Sequence, residues 1–405
     1  MSDRAPTTAA RRPLGILRRM TSRSSTEPHR ASTPLELFFD LSFVVAIAQA
    51  GGRLVHSLAE GHPWHGIGGY VLVFFAIWWA WVNFTWFASA YDSDDPLYRV
   101  AVLIQITGVL VLAAGVPRAF DNHDYKIAIA GYLIMRLAQM FQWLRAAHDE
   151  TDPAARRTAL RYAAGLLCVQ IAWVVLLVLP HAAWNWGFVP LALAEMAVPA
   201  IAERERQTTW HPHHIAERYG LFTLIVLGES VSAATIAIQS ALDDQAALGE
   251  LLPISAGGLL IVFSAYWIYF AVPIHDYLVS GKQAFLWGYG HYVIFGSAAA
   301  IGAGMEVAVE QAVGVAHVSL VGASACATIP TALFMFTVWA IHSRHHKRGL
   351  VQQLILPGAA ALVLLCTFAG KAAVPLAGVV AALAVAAGVV SAALVGEGDV
   401  RPGHA

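Results

Sequence analysis

The feature that most constrains this chain is a succession of long apolar stretches. Twelve runs, at 36–54, 68–90, 98–116, 126–147, 159–180, 184–202, 217–240, 252–272, 284–305, 319–341, 350–370 and 373–396, each approach the twenty or so residues a helix needs to cross a bilayer. In hydrocarbon, backbone N–H and C=O groups must be satisfied without water. Runs this long and this unalternating do so as helices rather than barrel strands. Breakers such as Gly61-His62-Pro63, Asp92-Ser93-Asp94-Asp95-Pro96 and Asp149-Glu150-Thr151-Asp152-Pro153 separate them. The fold class expected is therefore all-α, a polytopic transmembrane bundle of about twelve spans.

Composition agrees. The chain is 58% hydrophobic and 13% charged, with a mean hydropathy of +0.60. Soluble domains carry about 25% charged residues. So little charge cannot coat a water-facing surface, which excludes an ordinary soluble enzyme, a disordered protein and a nucleic-acid binder with a basic face. Cys168, Cys326 and Cys366 lie far apart in apolar runs, the pattern of neither a disulfide framework nor a zinc site.

Residues 1–30 are different: rich in Arg, Ser, Thr and Pro, with no apolar core that would make a secretory signal. They are expected to form a disordered basic tail on the cytoplasmic side, ahead of a helical domain at 31–398 and a short tail at 399–405. With the first tail inside and twelve alternating spans, 20 of the 25 Lys and Arg fall inside. Only Arg53, Arg118, Lys126 and Lys371 fall outside, and Arg136 lies within a span. This is the positive-inside bias, and it places both termini in the cytoplasm. A parallel duplication, with halves at 31–202 and 211–398, is suggested by Glu36 and Glu217 opening spans one and seven. Trp81-Val-Asn-Phe84 and Trp267-Ile-Tyr-Phe270 lie in spans two and eight.

An ionisable group deep in a bilayer costs about 2.5–3.5 kcal/mol, so it survives when paired, cavity-facing or snorkelling. Glu36 and Asp40 are four apart and share a helix face near a helix start. They suit helix capping, or holding a cation or relaying a proton. Glu229 lies about 18 Å along its helix from Glu217, near mid-bilayer, beside Gly228. Arg136, midway along the fourth span, is its expected counter-charge. His291 sits in a glycine- and tyrosine-rich span that also carries Glu306. Asn83, Gln105, Gln139 and Glu195 are read as interhelical hydrogen-bonding residues. The clusters at His211–His214 and His342–His346 lack zinc spacing, so no metal and no cofactor are expected. No common enzyme signature is present.

Two segments carry a resemblance. They are Glu36-Leu-Phe-Phe-Asp-Leu-Ser-Phe-Val-Val-Ala-Ile-Ala-Gln49 and His214-Ile-Ala-Glu-Arg-Tyr-Gly-Leu-Phe-Thr-Leu-Ile-Val-Leu-Gly-Glu-Ser230. Together with Val116-Pro-Arg-Ala-Phe120 and Gly131-Tyr-Leu-Ile-Met-Arg136, the chain resembles the bacterial low temperature requirement protein A (LtrA) family. The resemblance implies a multi-pass bacterial inner-membrane protein of a family named for a growth phenotype in the cold. Its pattern picks out Glu36, Asp40, Arg136, His214, Glu217, Arg218, Glu229, His291 and Glu306. The leading functional expectation is a transporter or channel for a small ion or solute built on a shared acid/Arg/His core in the bilayer. The alternatives are an intramembrane enzyme acting on lipid and a non-catalytic stress or assembly factor.

Overall fold

A computed structural model describes residues 18–24, 27, 30–243, 248–347 and 349–399. Among these residues there are twelve α-helices and no strand. They are α1 (Pro34–Ala59), α2 (Pro63–Tyr91), α3 (Pro96–Asn122), α4 (Lys126–Asp149), α5 (Pro153–Val178), α6 (Trp184–Ala202), α7 (Pro212–Asp243), α8 (Leu248–Phe270), α9 (Gly281–Ala312), α10 (Leu320–Val338), α11 (Leu350–Cys366) and α12 (Ala373–Asp399). Ten are long and apolar enough to cross a membrane; the apolar parts of α6 and α11 are shorter, at Trp186–Ala202 and Leu350–Cys366. The starts follow from local chemistry. Proline occupies the first turn of α1, α2, α3 and α5, where its missing N–H has no partner to lose. Thr33, Asp95, Asp152, Ser280 and Ser319 cap α1, α3, α5, α9 and α10 with their side-chain oxygens.

The packing partners repeat with an offset of six helices. Helix α1 packs on α2 and α3, α3 on α4, α4 on α5 and α5 on α6. Likewise α7 packs on α8 and α9, α9 on α10, α10 on α11 and α11 on α12. Close backbone approach at a glycine marks both the α3–α4 and the α9–α10 pairs. A Cβ on Gly131 of α4 would strike the backbone of Leu112 in α3, and one on Gly304 of α9 would strike the backbone of Cys326 in α10. The pattern breaks at one place. Helix α12 packs along α8, whereas α6 reaches α2 through the long side chains of Glu195 and Trp79. The aromatic correspondence is also uneven, since Trp81 is buried and Trp267 is half exposed.

The free tail expected at 1–30 lies partly outside the described residues. Where described, it is a strap held against one face of the bundle. The backbone N–H groups of Arg18, Met20 and Ser22 donate to the carboxylates of Asp95 (3.1 Å), Asp149 (2.9 Å) and Glu150 (3.1 Å). Arg23 N–H donates to Ala90 O at 2.9 Å, and His211 Nε2 meets Glu27 O at 2.8 Å. Arg30 is buried and donates to the last carbonyls of α2, at Ala88 and Ser89. The strap stays down because acid side chains at helix ends supply acceptors for backbone donors, a reason invisible in the tail's own composition.

Candidate functional site

The polar groups form two separate clusters on opposite sides of α2. The first joins α1, α2 and α7. Glu36 and Asp40 lie four apart on α1, His214 and Arg218 four apart on α7, and all four are fully buried. Arg218 Nη1 lies 3.1 Å from Glu36 Oε1, and its Nη2 donates to Asp40 Oδ1. Trp81 Nε1 donates to the same Asp40 oxygen at 2.7 Å. His214 Nε2 is 3.1 Å from Glu36 Oε1. The guanidinium carbon also stands 5.7 Å from the centre of the Phe84 ring. Glu36 also closes the start of its own helix, where its Oε2 accepts the Thr33 N–H at 2.7 Å in a capping box. Several positions in the cluster make no aligned hydrogen bond. They are Asp40 Oδ2, Glu36 Oε1, Arg218 Nε and Nη1, and both His214 nitrogens. The contacts of Glu36 Oε1 are thus ion pairs by distance whose angles are poor.

The second cluster joins α2, α4, α5 and α6 around Glu195. Arg136 Nη2 donates to Glu195 Oε2 (2.8 Å) and to the Tyr132 hydroxyl (2.6 Å). Trp79 Nε1 donates to the same Glu195 oxygen at 2.8 Å. Gln170 and Trp173 donate to Oε1 at 3.0 and 3.1 Å. Glu195 therefore takes four donors, and its carboxylate is closed off.

This arrangement corrects the expected Glu229–Arg136 pair: the arginine's partner is Glu195. Glu229 is only partly buried and has no hydrogen bond or ion pair among the described residues. The reason is rotation along α7. Ser230 faces α9 and donates to Ala298 O at 2.9 Å, so its neighbour one residue earlier turns about 100° away. Gly228 likewise meets open space rather than a close helix.

The other expected residues are also dispersed. His291 is fully buried in an aromatic box of Trp287, Tyr219 and Phe295. Its Nδ1 faces Trp287 O at 2.7 Å and its Nε2 faces the Tyr269 hydroxyl at 2.9 Å. A carbonyl only accepts, so Nδ1 carries the proton and a neutral ring satisfies both contacts. Glu306 lies near the opposite end of α9, partly buried, close to Glu310. Glu217 lies beside Ser32, in the segment that leads into α1. Gln139 and Gln105 make interhelical hydrogen bonds, whereas the Asn83 amide, expected to do the same, donates to Trp79 O of its own helix at 2.8 Å. Gln139 Nε2 donates to Asn83 O at 3.1 Å, and Gln105 Nε2 to Gln142 Oε1 at 2.7 Å. Sequence reasoning missed the indole donors Trp79, Trp81 and Trp173. A signal for them existed, since a buried indole N–H needs an acceptor and few were within reach. Among the described residues no group of His, Cys, Asp or Glu is arranged to hold a metal ion.

Comparison with known proteins follows the same residues. The model of the bacterial low temperature requirement A protein (LtrA) family matches residues 31–392. The chain belongs to this family. Within it lie both arms of the first cluster, the Glu36–Asp40 turn of α1 and the His214–Arg218 turn of α7, and the whole Arg136–Glu195 cluster. The uncharacterized protein RA0937 of Rhizobium meliloti (strain 1021) is 31% identical over 217 residues, 52% of this chain and 51% of that protein. The match thus spans about half the length of this curated relative. Family and architecture together make this a multi-pass membrane protein.

Proposed function

We propose that the protein moves a small ion or solute across a bacterial inner membrane, with both termini cytoplasmic, and that the Glu36–Asp40–His214–Arg218 cluster is its titrating element. The observation that carries this reading is the charge count. Two buried carboxylates contact a single guanidinium, that of Arg218, with an imidazole against one of them; the buried Arg30, also within electrostatic range of Glu36, is matched by Asp92. An unbalanced charge in a low-dielectric interior is expensive. A proton held on the imidazole or on one carboxyl balances it, and gain or loss of that proton changes the attraction between α1 and α7. The Glu195 cluster, with its carboxylate fully bonded, is the fixed counterpart against which such movement occurs.

Proteoliposomes under an imposed pH gradient test the reading, with wild type and Asp40→Asn compared across a panel of ions and small solutes. The expected result is pH-dependent flux in wild type and its loss in Asp40→Asn protein that still purifies as a folded species. Equal flux in the two proteins, or none in wild type across the panel, overturns it. One observation favours a second reading, a non-catalytic stress or assembly factor: the cavities of about 570 and 430 Å³ are lined by residues of neither cluster. On that reading the ion pairs only hold helices together, and Asp40→Asn loses stability in step with any phenotype in the cold.

A further inference from the structure

We propose that the groove between α8, α11 and α12 binds an anionic phospholipid from the leaflet at the strap face, cytoplasmic in the orientation set by the basic residues. The groove is a cavity of about 570 Å³, within the size range of small-molecule sites. It has a polar end and an apolar body. At the polar end, α10 gives way to a π-helical turn, Trp339–Ser343, and then a 3₁₀ turn, Arg344–His346. Such turns break the regular ladder and recur at functional sites. Ser343, His346, Lys347 and Gln352 line this end, and Phe270, Leu356, Val385 and Val389 line the body.

Two features of the polar end call for an anion. Ser343 is 3% exposed, and its hydroxyl has no hydrogen-bond partner, a state that is unfavourable until a ligand supplies one. Lys347 is half-buried with no acid partner among the described residues, and burial pushes its pKa down. An anion at the groove mouth would relieve both. The acid on the adjoining loop, Asp276, is engaged by His275 at 3.4 Å. The apolar body points to an acyl chain rather than a free anion. Tyr266 and Trp267 on its wall are half exposed, as aromatic residues are at the level of lipid headgroups. Basic pockets between helices on the cytoplasmic side suit acidic headgroups.

The experiment is native mass spectrometry of the purified full chain with phosphatidylglycerol or phosphatidylcholine, with inorganic phosphate as a separate competitor. Wild type is expected to retain phosphatidylglycerol at least about tenfold better than phosphatidylcholine, and Lys347→Gln to lose most of that preference. Gly388→Phe provides a variant that keeps every charge. A Cβ at Gly388, on the groove wall, meets nothing within 4 Å, so the ring would fill the groove, and it is expected to expel the lipid. Equal retention of the two lipids by wild type, undiminished phosphatidylglycerol on Gly388→Phe, or displacement of the lipid by inorganic phosphate would each overturn the proposal.

Discussion

Trp79 and Trp81, two residues apart on α2, donate their indole N–H groups to different buried carboxylates, Glu195 at 2.8 Å and Asp40 at 2.7 Å. Side chains two apart on a helix diverge by about 200°, so α2 is a partition with one ionic cluster on each face.

The two indoles are not equivalent. Asp40 keeps only Arg218 as a donor if Trp81 is lost, whereas Glu195 keeps Arg136, Gln170 and Trp173 if Trp79 is lost. Trp81→Phe is expected to cost about 1.5–3 kcal/mol, the range for a hydrogen bond to a charged group, and Trp79→Phe about 0.5–1.5 kcal/mol. Thermal unfolding in detergent, read as the difference in Tm between the two variants, checks the order.

Arg218→Met strands two buried carboxylates and is expected to destabilise by about 3–5 kcal/mol. Arg218→Met/Asp40→Leu should recover part of that loss, because one of the stranded charges is gone. A double-mutant cycle on chemical-denaturation midpoints measures the coupling, and strictly additive effects would show that the pair does not interact.

Backbone contact at Gly304 leaves no room for a methyl group, since the obstacle is the Cys326 peptide rather than a movable side chain. Gly304→Ala is expected to separate α9 from α10 at a cost of about 1–3 kcal/mol, the range for overpacking. Lower yield of monodisperse protein and a lower Tm are the readouts. Gly358→Ala, where a Cβ meets nothing within 4 Å, is the matched control.

Asp92, at the loop after α2, supplies a pH dependence. Burial pushes its carboxyl up to about 6, reinforced by Glu36 and Asp94 and opposed by Arg30 and by Arg23, which lies 3.6 Å away. Its ordinary value is about 3.9. Between those values the folded protein holds more protons than the unfolded chain, so stability falls as pH rises from about 4 to 6. Asp92→Asn should therefore raise Tm at pH 7, by up to about 3 kcal/mol in stability, and leave it unchanged at pH 4. Equal shifts at both pH values would show that ionisation of Asp92 is not involved.

The architecture was readable from run length and breakers alone, because hydrocarbon forces apolar helices of a known length. The same cost argument located Glu36, Asp40 and Arg136 as buried polar positions. It did not identify their partners. Whether Glu195 or Glu229 meets Arg136 depends on the rotation of α7 and on the gap between α6 and α2, and helix–helix geometry leaves no mark in hydropathy. His291 failed as a member of the core for a related reason: the Trp287 carbonyl and the Tyr269 hydroxyl satisfy it locally. The strap was illegible because its acceptors, Asp95, Asp149 and Glu150, stand at helix ends far along the chain.

The strap also sets an order of events during synthesis. Residues 18–22 are synthesised before their anchors, which stand after α2 and at the end of α4. They can settle only once four helices have been threaded into the bilayer, so their docking marks completion of that early portion of the nascent chain.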